Sequence, residues 1–367
     1  MTFIPLVVAI PAHNEEQCLG ACLAALAAQR LAPQAAVLLL DRCTDGSEAV
    51  ARAMSARLGF PLRLLHCRAA QQGAHAGLAR GLAMDAAAEM AGPGGAVVTT
   101  DADALPPPQW LEAIVHSFTS GVDAVAGRAV IDPVEALAIP AALHEADARE
   151  GAYSDTLDEM ASLIDPDKLD PWPRHAEASG ASLAVRVRAY RMVNGLPRLP
   201  SGEDRALVTA LRRADRSIRH APEVWVTVSG RLEGRAQGGM AEAMRRRIAR
   251  PDTELDDRLE PAFDAVRRAR LRVRMRHLYR SGAIPDLALA ATLDMPLGLL
   301  AGMLHNRPFG EAWELVESCS PTLGRRRVGV VELPQQQALA SAMLARLRVP
   351  AVSLVQRPTD TPADASS

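Results

Sequence analysis

Along the N-terminal third of the chain, short apolar runs alternate with longer segments whose apolar positions recur every three to four residues. Residues 6–10, 36–40, 62–65 and 96–100 are the short runs, and 122–131 is a longer one. Their length and their Val, Leu and Ile content predict buried strands. Between the first two, the spacing of Leu19, Cys22, Leu23 and Leu26 predicts a helix. Asn14, with Gln17 three residues on, is expected to cap it. Residues 44–47 read as a turn and cap for a helix ending near Gly59, and 73–91 as a helix stopped by Gly92-Pro93-Gly94-Gly95. Regular alternation of strand and helix predicts an α/β fold, a mostly parallel sheet flanked by helices on both faces. In such folds ligands lie outside the carboxyl ends of the strands.

Past residue 131 the alternation loosens. Residues 140–163 have a helical pattern, and 165–173, rich in Asp and Pro, read as a loop. Regular structure is expected again at 179–187, in a helix over 188–193, in a helix opened by Glu203 and Asp204, and in a strand within 217–228. From about Gly238 arginine-rich helical patterns replace strand signals. The expected organisation is an α/β domain over 1–237, a mainly helical C-terminal extension over 238–355 and a disordered tail over 356–367. The apolar stretch 283–304 is interrupted by Pro285, Asp286, Asp294 and Pro296, too broken to span a bilayer.

Of the 367 residues 49% are hydrophobic, enough for one large domain with an appendage. A formal net charge of −2 supplies no basic field for nucleic acid. The five cysteines are scattered without metal-binding spacing, which fits a reduced compartment. Residues 1–5 carry no basic leader, so a cytoplasmic location is expected. The arginines at 245–247 and from Arg267 to Arg276 are dense enough to dock an anionic lipid surface, making peripheral contact with the inner membrane the second expectation. The interspersed Glu254, Asp256, Asp257, Glu260 and Asp264 favour a salt-bridged, solvated helix instead.

The chemistry concentrates at strand ends. Asp101 and Asp103 follow the run 96–100, and alternate residues on an extended chain point the same way. Two carboxylates there can hold a hard divalent cation together with phosphate oxygens. Alone, such a pair reads better as a loop whose Asp residues cap the next helix or sit in water. The loop Pro11-Ala12-His13-Asn14-Glu15-Glu16 follows the first strand, and Asp41-Arg42-Cys43-Thr44-Asp45-Gly46-Ser47 follows the second. Neither G-x-G-x-x-G nor G-x-x-x-x-G-K-[ST] occurs, which argues against a dinucleotide-binding Rossmann enzyme and a P-loop NTPase. Gly202-Glu203-Asp204 places two carboxylates at a helix start, where they complement the dipole and where one can serve as a general base. Arg231 and Arg235 sit just past the last strand and could clamp a diphosphate.

These segments, in this order, resemble family 2 glycosyltransferases of the GT-A fold, of the bacterial, non-processive kind. The resemblance rests on residues 8–16 and 41–47, on Ala79-Arg80, on Thr100-Asp101-Ala102-Asp103 with Pro107-Pro108-Gln109-Trp110, on Ser179-Gly180-Ala181-Ser182, on Gly195-Leu196-Pro197 and on Gly202-Glu203-Asp204. It implies a metal-dependent enzyme, with Mg²⁺ or Mn²⁺ as cofactor. Such an enzyme moves a sugar from a nucleoside diphosphate sugar to a hydroxyl acceptor with inversion. By the same resemblance, Pro11, Ala12, His13, Asn14, Glu15, Asp41, Arg80, Asp101 and Ala102 would bind the nucleotide. Asp103, with Asp101, would hold the metal, and Asp204 or Glu203 would be the acceptor base, with Asp204 favoured. The chain departs from the family pattern in two places. Only Asp41 remains of an acidic pair after the second strand, and Ser229-Gly230-Arg231 stands where a late histidine ligand is common. No Q-x-x-R-W motif is present, which argues against a processive synthase. The competing readings are a nucleotidyltransferase, which lacks its Gly-rich loop here, and a catalytically inactive nucleotide-sugar-binding homologue acting through its helical region.

Overall fold

A computed structural model describes residues 4–67, 75–231, 240–249 and 255–349. Strands β1 (Leu6–Ala12), β2 (Ala35–Asp41), β3 (Leu62–Cys67), β4 (Ala96–Thr99), β5 (Ala124–Ile131), β6 (Leu183–Arg186) and β7 (Ile218–Val228) form one seven-stranded sheet. Its order is β3-β2-β1-β4-β6-β5-β7. Neighbours pair in parallel except β6, which runs antiparallel to both β4 and β5. The carboxyl ends of β1, β2, β4, β5 and β7 therefore share one edge.

Side-chain alternation splits the core into two layers. Leu6, Val8 and Ile10 face one way, into Leu19, Leu23, Leu26, Trp110, Ile114 and Phe118. Val7 and Ala9 face the other way, into Ala83, Met84, Leu207 and Leu211. Strands buried on both faces account for the unbroken apolar runs that marked them in the sequence.

One local expectation is overturned. Asn14 does not cap the first helix, which spans Leu19–Ala27 behind Cys18 with no side-chain cap. Asn14 adopts φ 55°, and its side-chain Oδ1 accepts from the Thr44 amide at 2.8 Å. It joins two strand-end loops instead of starting a helix. The second helix is also shorter than expected, Ser47–Ser55.

The helix Ala141–Ile164 forms a platform for the C-terminal helices. Tyr153 and Met160 on it pack with Leu259, Ala262, Val266, Leu333, Ala340 and Leu344. A second cluster, with Met275, Phe309, Trp313 and Val316, buries Leu289, Leu293 and Leu300 of the apolar stretch 283–304, while Ile284 and Leu287 stay exposed. There the helices Leu287–Leu293 and Leu297–Leu304 meet at a 95° bend. No single described helix is long and apolar enough to cross a membrane. The expected boundary near 237 and the tail 356–367 lie outside the described residues.

Candidate active site

The β1 and β2 loops are stapled together at the shared edge. His13 Nδ1 lies 2.6 Å from the Asp41 carbonyl, the Glu15 amide donates to Ser47 Oγ at 2.8 Å, and the Glu16 amide donates to Asp45 at 3.0 Å. These bonds fix the backbone of 11–16 against 41–47. The Asp41 carboxylate is buried and accepts two bonds from its neighbour Arg42, at 3.0 and 2.9 Å. That hydrogen-bonded carboxylate raises the Arg42 pKa.

Arg80 is the hub of the floor. It comes from the helix Ala76–Ala91 and is buried. Nε donates to Glu203 Oε1 at 2.9 Å, and Nη2 to Asp101 Oδ1 at 2.7 Å. Nη1 donates to Thr99 Oγ1 at 3.1 Å and to the Gly180 carbonyl at 2.8 Å. Burial works against its charge, but the Asp101 and Glu203 carboxylates outweigh burial and hold its pKa above the ordinary arginine value. A side chain at residue 180 would collide with this guanidinium, since a Cβ there would lie 2.6 Å from Arg80 Cζ. Gly202, at φ 74°, makes the left-handed turn that starts the helix Glu203–Arg213.

The two candidate bases are thereby separated. Glu203 is buried and spent on Arg80. Asp204 is only half-buried; its Oδ2 accepts from the Gly180 amide at 2.8 Å and Oδ1 from the Arg205 amide at 2.7 Å.

A second ion cluster stands beside the first. Arg231, beyond β7, donates to both oxygens of buried Glu15, at 3.0 and 2.7 Å, and its Nη2 lies 3.0 Å from Asp103 Oδ2. The hydrogen bond to Glu15 leads in raising the Arg231 pKa, with the Asp103 charge adding to it against burial. Asp103 is pushed up to about 6, by burial first and then by the Asp101 charge, with Glu15 adding to the rise and Arg231 opposing it. The site carries more negative charge than Arg231 neutralises.

That surplus suits a hard divalent cation, and the donors are all carboxylate oxygens. Among the described residues no group of three or more Asp, Glu, His or Cys could hold a metal. Arg80 engages one oxygen of Asp101 and Arg231 engages Asp103, so either carboxylate would hold a cation only with phosphate oxygens and water completing the shell. Such sharing is usual for Mg²⁺.

The structure thus gathers Glu15, Arg80, Asp101, Asp103, Glu203, Asp204 and Arg231 at one edge, with Ala102 buried beneath the acidic pair. Pro11, Ala12, His13, Asn14 and Asp41 lie along the adjoining wall. Arg235 lies outside the described residues. His220, left unassigned as a ligand from sequence, pairs with Asp170 near the start of β7, away from these residues. Sequence reasoning missed the Gly180 backbone, whose carbonyl holds Arg80 and whose amide holds Asp204. The Gly at that position was the only available signal.

A mostly parallel sheet with one reversed strand, carrying an acidic pair after β4 and helix-borne acids opposite it, is the GT-A arrangement of nucleotide-diphospho-sugar transferases. The family model of glycosyl transferase family 2 matches residues 7–161 of the chain. No curated protein matches the sequence. Among solved structures, the chain is similar to the mannosyltransferase PcManGT of Pyrobaculum calidifontis, in complex with GDP-Man and Mn²⁺. That match has 17% identity and a TM-score of 0.43, over 94% of this chain and 76% of that one. It is also similar to TarS 1-349 of S. aureus in complex with UDP-GlcNAc, with 17% identity and a TM-score of 0.46, over 94% and 89%. A third likeness is to glucosyl-3-phosphoglycerate synthase of Mycobacterium tuberculosis, with 17% identity and a TM-score of 0.39, over 67% and 76%.

Proposed function

We propose that this chain transfers a glycosyl group from a nucleoside diphosphate sugar to a hydroxyl acceptor, with inversion at the anomeric carbon. The observation that carries the reading is the Asp101–Arg80–Glu203 ion-pair chain. It ties the acidic pair after β4, inside the segment 7–161 that matches family 2, to the helix beyond that segment that presents Asp204.

On this reading, residues 11–15 and Asp41 form the wall against which the nucleotide lies. Arg80 fixes Asp101 so that its free carboxylate oxygen meets the ribose side. Asp103 would hold Mg²⁺ or Mn²⁺, whose chemistry there is to neutralise charge growing on the departing diphosphate. Arg231 adds a fixed guanidinium to the same task. Asp204 takes the proton from the acceptor hydroxyl, the freed oxygen attacks the anomeric carbon, and the bond to the diphosphate breaks on the opposite face. Glu203, neutralised by Arg80, holds the helix start in place.

The experiment is a melting-temperature screen of nucleoside diphosphates with and without Mg²⁺ or Mn²⁺, followed by donor hydrolysis assays. A ligand that binds the folded state raises the melting temperature with its concentration. Metal-dependent stabilisation together with donor turnover supports the transferase. Stabilisation without any turnover identifies a nucleotide-sugar-binding homologue instead. No stabilisation by any nucleotide removes both.

A further inference from the structure

The turn that follows β7 is held from the β5 side. Asp132 caps the short helix Pro133–Ala136, accepting from the Val134 and Glu135 amides at 2.8 and 3.1 Å, and its own amide donates to the Val228 carbonyl at 2.9 Å. Glu135 Oε2 then accepts from Ser229 Oγ at 2.7 Å and from the Gly230 amide at 2.5 Å. Gly230 is pressed into this junction: a Cβ there would lie 2.8 Å from Ile131 Cγ2 and 3.1 Å from Glu135 Cβ. The backbone is therefore fixed up to the point where the Arg231 side chain leaves it.

That side chain makes two unequal contacts. Nη1 and Nη2 each take one oxygen of buried Glu15, at 3.0 and 2.7 Å. Nη2 is also shared with Asp103 Oδ2, at 3.0 Å. The fork on Glu15 is complete without Asp103, so the guanidinium can surrender Asp103 and stay anchored. Asp103 is also the more open partner, its side chain 18% exposed against 8% for Glu15. A divalent cation approaching Asp103 meets Arg231 as a competitor for the carboxylate and as a like charge. A diphosphate does the reverse, since its oxygens accept from Nη2 and draw it off Asp103. A neutral ligand in the place of Arg231 would add to the affinity for bare metal, whereas a guanidinium subtracts from it.

Resting on the reading of Asp103 as the metal-holding carboxylate, we propose that Arg231 is an internal counter-cation that keeps Asp103 closed to divalent metal until a nucleoside diphosphate draws the guanidinium away. Metal and nucleotide then enter as a coupled pair. Whatever factor the diphosphate adds to metal affinity, the metal adds to diphosphate affinity.

The test is titration of Mn²⁺ into the full-length protein, with free Mn²⁺ read by electron paramagnetic resonance. It is run without nucleotide and with UDP, GDP, CDP or ADP, after allowance for the complex that Mn²⁺ forms with each nucleotide in solution. Arg231→Gln is expected to bind Mn²⁺ alone at least fivefold more tightly than wild type, and the gain that nucleotide brings should shrink by a similar factor. The double variant Glu15→Gln/Arg231→Gln removes both charges of the buried pair, so the net charge is unchanged and no carboxylate is left buried alone. It should bind Mn²⁺ alone more tightly than wild type too, and it serves even if Arg231→Gln folds poorly. Wild-type affinity for Mn²⁺ alone in the double variant overturns the proposal, because any gain in the single variant is then only the loss of a positive charge. Asp103→Asn tests the reading beneath it. If that variant binds Mn²⁺ with nucleotide as wild type does, the metal is not on Asp103 and both readings fall. If it loses that binding while the Arg231 variants gain nothing for Mn²⁺ alone, only the counter-cation falls.

Discussion

Arg80 and Glu203 stand 123 residues apart in the chain and 2.9 Å apart in the fold. Both are buried, and the pair is completed by Asp101 on the other arm of the guanidinium. Breaking one partner of a buried pair leaves an uncompensated charge. Arg80→Met is therefore expected to cost about 3–5 kcal/mol of stability. Arg80→Lys cannot reach both carboxylates, Thr99 and the Gly180 carbonyl at once. It should fold but lose nucleoside diphosphate affinity. Urea unfolding and calorimetry read the two effects separately, and wild-type affinity in Arg80→Lys would show that the fork is not needed.

The same pair divides the roles of the two helix-start acids. Asp204→Asn should lower turnover by about a hundredfold or more. Donor affinity should stay near wild type, because the proton is taken from the acceptor. Glu203→Gln should instead lower stability and donor affinity together, through Arg80. If Glu203→Gln is stable and inactive while Asp204→Asn still turns over, the base is Glu203.

What the sequence revealed, and what it hid, follows from the range of the interactions. The strands at 6–10, 36–40 and 96–100 were legible because burial on both sheet faces writes itself into consecutive residues, and the half-buried edge strand at 62–65 showed through its three leucines. Asp101 and Asp103 were legible because two acids directly after such a run break the pattern. Asn14 misled, since its partners lie about thirty residues away in another loop and nothing local distinguishes it from a cap. The Glu15–Arg231 pair spans 216 residues, and no periodicity carries such a pairing.

Acid stability gives another check, at His175. Burial, then the His220 charge, brings its pKa down from 6.5 to about 3. Nδ1 accepts from the Glu177 amide at 3.1 Å, while Nε2 is buried without a partner. Below about pH 6.5 the unfolded chain takes up a proton that the folded state refuses. The contribution of neutral His175 is thus complete above that pH and is lost as the pH falls towards 3, at up to about 1.4 kcal/mol per pH unit. His175→Gln should flatten this slope. Urea unfolding at about pH 7.5 and about pH 4.5 compares the two proteins, and an unchanged difference would assign the acid sensitivity elsewhere.

The seam between the sheet and the C-terminal helices can be tested at Asp215 and Gly310. Asp215 follows the helix Glu203–Arg213, and its two carboxylate oxygens accept from the Phe309 and Gly310 amides at 2.7 Å each. It therefore caps, from 94 residues away, the helix Phe309–Cys319, which has no side-chain cap of its own. Asp215→Ala should cost about 1–2 kcal/mol, by analogy with other lost helix caps. Gly310 is pressed against the backbone, where an added Cβ would sit 1.8 Å from the Arg212 carbonyl oxygen. A backbone carbonyl cannot rotate away as a flexible side chain does, so Gly310→Ala must push the helix outward and strip Phe309 and Trp313 from their apolar cluster. It should destabilise more than Asp215→Ala and speed limited proteolysis of the C-terminal helices relative to the sheet. A Gly310→Ala protein that melts and is cleaved like wild type would mean that this helix does not pack on Arg212 in solution.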